Sequence, residues 1–165
     1  MWWMSRMSEM PPMAPLASAY EALRPSILER LLELRATLDP SLGRLDVATA
    51  RSQIGAVLEH LGNFIATGDL GLHRAFLHTF LAMRAAEAQS PASVLAMLVS
   101  IGDTAAQVAQ EQGAGTTAGA ELTLLLTRVT ASTARVVNDL IADELGRRLA
   151  QYHEILGNTR EGSLS

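Results

Sequence analysis

Two amphipathic helices separated by a single sharp break constrain this chain more than any other feature. Ahead of the break, Leu72, Phe76, Leu77, Phe80, Leu81 and Met83 recur at helical spacing behind Asp69, a residue that caps helix N-termini well. Behind it, Val94, Leu98, Ile101, Ala105 and Val108 repeat at 4-3-4-3 spacing. The break is Ser90-Pro91: a serine oxygen accepts from orphaned backbone N–H groups, and proline costs nothing at the first helical position. Leu95, Met97 and Val99 make the second helix apolar on its other side too. A helix apolar on most sides lies at the centre of a bundle or at an interface between subunits. Val94, Leu98 and Ile101 are therefore interface candidates.

The flanking segments follow the same period. Leu16 to Leu23 reads as a short helical turn ending near Arg24, because Pro25 disfavours the α conformation in the residue before it. Pro25 then opens a helix striped by Ile27, Leu28, Leu31, Leu34 and Leu38 and closed by Asp39-Pro40 and Gly43. Asp46 caps the next, which carries Val47, Ile54, Val57, Leu58, Leu61 and Ile65 and stops at Gly68.

After the loop at Gly113-Ala-Gly115, helical pattern is nearly continuous from Leu122 to Leu156, roughly 50 Å at 1.5 Å per residue. That is longer than a bundle of this size needs. The apolar seam also migrates, from Leu122, Leu126, Val129, Val136 and Leu140 to Val137, Ile141, Leu145, Leu149, Tyr152 and Leu156. One long helix that packs in its own bundle and then pairs with a second subunit fits this drift. Two helices split near Ser132-Thr133 fit it as well. Val137, Ile141, Leu145, Leu149 and Tyr152 join the interface candidates.

Composition closes off several chemistries. Aromatics make up 4% of the chain, so the core is aliphatic and suits helix-on-helix packing. With no cysteine there are no disulfides, thiolate nucleophiles or cysteine-ligated metals. All 13 cationic residues are arginine, which reads as codon bias of a GC-rich genome and removes lysine chemistry. A net charge of −4 without basic clustering argues against nucleic acid. The longest uncharged run, Ala88 to Gly102, has 15 residues against the ~20 that a bilayer span needs, and Arg6, Ser8 and Glu9 interrupt any signal-peptide core. The expectation is a cytoplasmic protein that binds no membrane. Met4, Met7 and Met10 offer alternative starts; otherwise Trp2-Trp3 would be a short aromatic anchor.

Four histidines, His60, His73, His78 and His153, carry the remaining chemistry. His73 and His78 are five apart and lie on different sides of one helix, so they cannot share a metal as an i, i+4 pair does. The Glu-x-x-His motif of di-metal bundles is absent. His60 and His73 can approach across facing helices. His73 or His78 could serve as proximal ligand to a haem, although only Phe64, Phe76 and Phe80 would line it. No Gly-x-Ser-x-Gly or phosphate-loop setting supports catalysis. Asp139, Asp143, Glu144, Arg147 and Arg148 read as a salt-laced exposed face.

Asp69 through Gln112, with Arg74-Ala-Phe76-Leu77, Met83-Arg84-Ala85-Ala86, Ser90-Pro91 and Val94-Leu95-x-x-Leu98, resembles the N-terminal helical domain of RsbR-type stressosome and RsbT co-antagonist proteins. Leu149-Ala-Gln-Tyr152-His-Glu-Ile-Leu156 is similar to the helix that leaves that domain. The resemblance implies a globin-like or four-helix sensory module without haem, dimeric and regulating through protein contacts. No phosphorylatable domain follows in this sequence, a departure from that family's layout. The expectations are an all-α single domain of about five helices over residues 15–157, a flexible segment 1–14 and a disordered tail 158–165. The expected role is a non-enzymatic regulatory homodimer acting on other regulatory proteins without a cofactor. The alternative is a haem-binding bundle.

Overall fold

The computed structural model describes residues 14–161, all of whose regular structure is helical. Five long helices and one short one follow in order: α1 (Ala14–Leu38), α2 (Pro40–Arg44), α3 (Val47–Thr67), α4 (Leu70–Ala86), α5 (Pro91–Gln112) and α6 (Thr117–Glu161). The expected N-terminal flexible segment lies outside the described residues, apart from Ala14, which begins α1. Residues 158–161 continue α6 rather than starting a disordered tail.

Local chemistry sets the boundaries. Asp46, Asp69 and Ser90 each accept the backbone N–H three residues on, capping α3, α4 and α5. Gly68 ends α3 at φ 65°, a left-handed conformation that glycine adopts without a Cβ penalty. Pro25, by contrast, does not divide α1. It costs the helix one hydrogen bond, but Pro25 and Glu21, whose carbonyl is freed, both lie at the exposed surface, where water can satisfy that group. On the opposite side Leu16, Tyr20, Ile27 and Leu31 are buried against α3 and α5, and the Tyr20 hydroxyl donates to the Leu58 carbonyl at 2.7 Å. Packing on both sides of the proline keeps the helix continuous.

The antiparallel pair α5–α6 is the most extensive in the fold, and α1 packs over α3 and α5. α5 is the one helix among the described residues long and apolar enough to cross a membrane; here its apolar line is the bundle core. Val94, Leu98, Ile101 and, on α6, Val137 are buried in the bundle core. Gly102 lets α5 and α6 close up, since a Cβ there would collide with the Thr130 side chain.

α4 departs from the expected stripe. Leu72 and Met83 are more than half exposed, and the buried line is His73, Leu77, Phe80 and Arg84, again at 4-3-4 spacing. Two polar side chains hold its ends because each finds partners inside the bundle. Arg84 donates to Gln53 Oε1 at 2.9 Å, pairs with Glu87 at 2.9 Å and lies 5.3 Å above the Phe80 ring.

Candidate functional site

α6 is a single helix, without a division near Ser132-Thr133, and its two halves meet different surroundings. Leu122, Leu126, Val129 and Val137 are buried, and Val136, Leu140 and Ile141 pack partly against the core. Beyond Ile141 no large apolar side chain among the described residues is buried: Leu145, Leu149, Tyr152, Ile155 and Leu156 are 54–69% exposed. Of the eight interface candidates read from the sequence, Leu145, Leu149 and Tyr152 lie open, Ile141 is half-buried, and the other four are in the core.

Where α6 leaves the bundle it forms one wall of an open groove of about 350 Å³. Leu81, Ala82 and Ala85 of α4 and Pro91 and Val94 of α5 face Leu140, Ile141 and Leu145 of α6 across it. His78, Gln89, Glu144, Arg147 and Arg148 form its polar margin. Glu144 binds Arg147 at 2.7 Å and Arg148 at 2.9 Å, and these cations hold its carboxyl below the usual range, the Arg148 hydrogen bond foremost. Asp143 instead reaches across to Arg74 on α4 at 3.1 Å. The small residues Ala82 and Ala85 leave the groove open; in the sequence they look like ordinary helix formers, so nothing there points to it.

A second polar feature sits inside the bundle. His60 Nε2 lies 3.0 Å from His73 Nδ1, and His73 Nε2 lies 3.0 Å from Thr133 Oγ1. The expected approach of His60 to His73 across facing helices occurs, with His73 3% exposed. Phe64 stacks on His73 at 4.3 Å and Phe76 on His60 at 3.8 Å. Burial pushes the His73 imidazole down to about 4, with the neighbouring His60 adding to the effect, and burial lowers His60 too. A neutral pair can carry its protons either way: Thr133 donates to His73 and His73 to His60, or the order reverses.

The chain of bonds uses both ring nitrogens of His73, leaving neither to ligate an iron. The cavity beside it is about 30 Å³, room for about one water molecule and far too small for a haem. His78, the other candidate ligand, is exposed at the groove margin. Among the described residues no three His, Asp or Glu side chains gather as a metal site requires. Thr133, the third member of the buried chain, carries no signal in the sequence beyond lying on the seam of α6.

Comparisons with protein-family models, curated proteins and solved structures find no match to this chain.

Proposed function

We propose that this protein is a non-enzymatic interaction module of regulatory type, whose helical bundle carries the free half of α6 as its contact surface and which self-associates through it. One observation carries the reading: a 45-residue helix keeps an apolar seam for about four turns after its own bundle has stopped covering it. Exposed apolar patches of this kind mark protein–protein surfaces. A role in signalling of the stressosome kind rests on the resemblance of Asp69–Gln112 and Leu149–Leu156 alone.

Light scattering on the purified chain at micromolar concentration tests the association. The expected result is twice the 17.7 kDa chain mass, falling to one chain in a Leu149→Arg/Tyr152→Arg variant with unchanged helical circular dichroism. A monomeric parent chain across that range would remove the self-association.

A further inference from the structure

The exposed seam of α6 and the groove at its root are two unpaired apolar surfaces on one chain, and one helix joins them. Ile141 and Leu145 belong to both: they wall the groove and begin the seam that continues through Leu149, Tyr152 and Leu156. We propose that the occupant of the groove is the α6 end of a second copy, in an antiparallel, two-fold symmetric dimer whose axis passes close to Leu145. This rests on the self-association proposed above and specifies its geometry.

Area favours groove and seam acting together. The stretch Ala142–Leu156, whose large apolar side chains are exposed, is about 22 Å long and a helix is about 10 Å across, so its facing strip is far smaller than the ~800 Å² each partner gives to a stable interface. Two free ends laid only against each other fall short. Laid antiparallel about Leu145, each free end also runs back over the other copy's groove, covering Leu81, Ala85 and Ile141 twice over in one closed contact.

Charge favours the direction. Asp139, Asp143 and Glu144 precede Leu145, and Arg147 and Arg148 follow it. At about 100° per residue Glu144 and Arg148 lie on the same flank of Leu145, so an antiparallel overlay about Leu145 sets Arg148 of each copy beside Glu144 of the other, twice. A parallel overlay puts these flanks on opposite sides of the contact and forms neither pair. The contact is isologous, so it closes at two copies and leaves no free end to build a filament.

Because the chain has no cysteine, single introduced cysteines report the geometry directly. Under mild oxidation Leu145→Cys, at the axis, crosslinks to itself. Tyr152→Cys alone does not, because seven residues either side of the axis separate the two sulfurs by about 21 Å, where a disulfide needs Cα atoms within about 7 Å. Mixed with Asn138→Cys, Tyr152→Cys gives a crosslinked heterodimer. Ala85→Glu, at an exposed groove position, places an unpaired carboxylate under the incoming helix and weakens the dimer at least about tenfold while leaving the helical spectrum unchanged. Self-crosslinking of Tyr152→Cys overturns the antiparallel direction. A dimer indifferent to Ala85→Glu overturns the groove as the docking place and gives it to another protein or a small apolar ligand. Both results leave self-association standing, whereas a monomeric parent chain removes it and this geometry together.

Discussion

The two halves of α6 have the same helical backbone and each carries an apolar seam at helical spacing, yet only one seam is covered by the bundle. From Leu122 to Val137 the seam is closed over by α1 and α5, and Thr123, Thr127 and Thr130 turn their hydroxyls back on the helix, Thr130 to the Leu126 carbonyl at 2.8 Å. From Leu145 to Leu156 an equally regular seam faces solvent. Helical period therefore locates an apolar face but is silent on what covers it. This helix is stabilised by packing on its first half and extends from there with its apolar seam exposed.

Substituting matched leucines in the two halves gives the largest expected contrast. Leu126→Ala empties a fully buried site and should cost about 3 kcal/mol in urea unfolding, transfer and cavity terms together. Leu149→Ala, measured dilute enough for the chain to be monomeric, should stay within about 0.5 kcal/mol. At dimer concentrations it should lower the apparent stability further, by the lost binding linkage. An equal cost for both leucines in the monomer would break the comparison, because Leu149 would then have a partner within its own chain.

Gly102 tests how the structural half is held. Its missing Cβ sets the separation of α5 and α6 at Thr130. Gly102→Ala forces the two helices apart in a packed core and should destabilise by about 2 kcal/mol in the same assay. If the free half is mechanically independent, the dimer affinity of the variant stays near that of the parent.

The His60–His73–Thr133 chain ties α3, α4 and the structural half of α6 together, and its strength depends on pH. His73 binds a proton at about 4 in the folded chain and near 6.5 when unfolded, so between those values the unfolded chain holds more protons. Stability is therefore full above about pH 6.5 and falls as pH drops toward 4. The loss is about 2 kcal/mol, with solvent at the half-exposed His60 screening part of what the shift corresponds to. His73→Leu should flatten this window, and its difference from the parent isolates the histidine from carboxylates that titrate lower. A parent chain whose unfolding midpoint does not change from pH 7 to pH 5 would contradict the buried neutral pair.

What the sequence disclosed and what it withheld divide along the same physical line. Caps at Asp46, Asp69 and Ser90 are legible because a short side chain three residues from its target settles them locally. The buried line of α5 is legible because Val94, Leu98, Ile101, Ala105 and Val108 are all apolar. Pro25 misleads because distant packing on Tyr20 and Ile27 outweighs one lost hydrogen bond. On α4 the apolar rule selects Leu72 and Met83 over His73 and Arg84, whose burial depends on Thr133, His60 and Gln53, partners 13 to 60 residues away. For α5 the rule leaves core and interface undivided, since both are apolar. The groove is invisible for a simpler reason: it exists where Ala82 and Ala85 fail to fill space.

The smallest effect concerns the turn that fixes one edge of that groove. α4 ends with the Gln89 N–H on the Arg84 carbonyl at 3.0 Å and the Ala88 N–H on the Ala85 carbonyl at 3.0 Å, the Schellman arrangement. It requires a left-handed residue, and Ala88 supplies it at φ 60°. An L-residue there costs roughly 1–2 kcal/mol, which Ala88→Gly relieves, while the added freedom of glycine in the unfolded chain takes back up to about 1 kcal/mol. The net expectation is a gain of about 0.5 kcal/mol, or roughly 1–2 °C in Tm for a chain of this size. Ala88→Val should move the other way by about 1 kcal/mol, because a β-branched side chain tolerates positive φ poorly. Ala88 itself lies outside the groove lining, so both variants should leave dimer affinity unchanged. A change in affinity without a change in Tm would mean instead that the turn positions Gln89 and Pro91 for the incoming helix, extending the contact surface from α6 onto the α4–α5 connection.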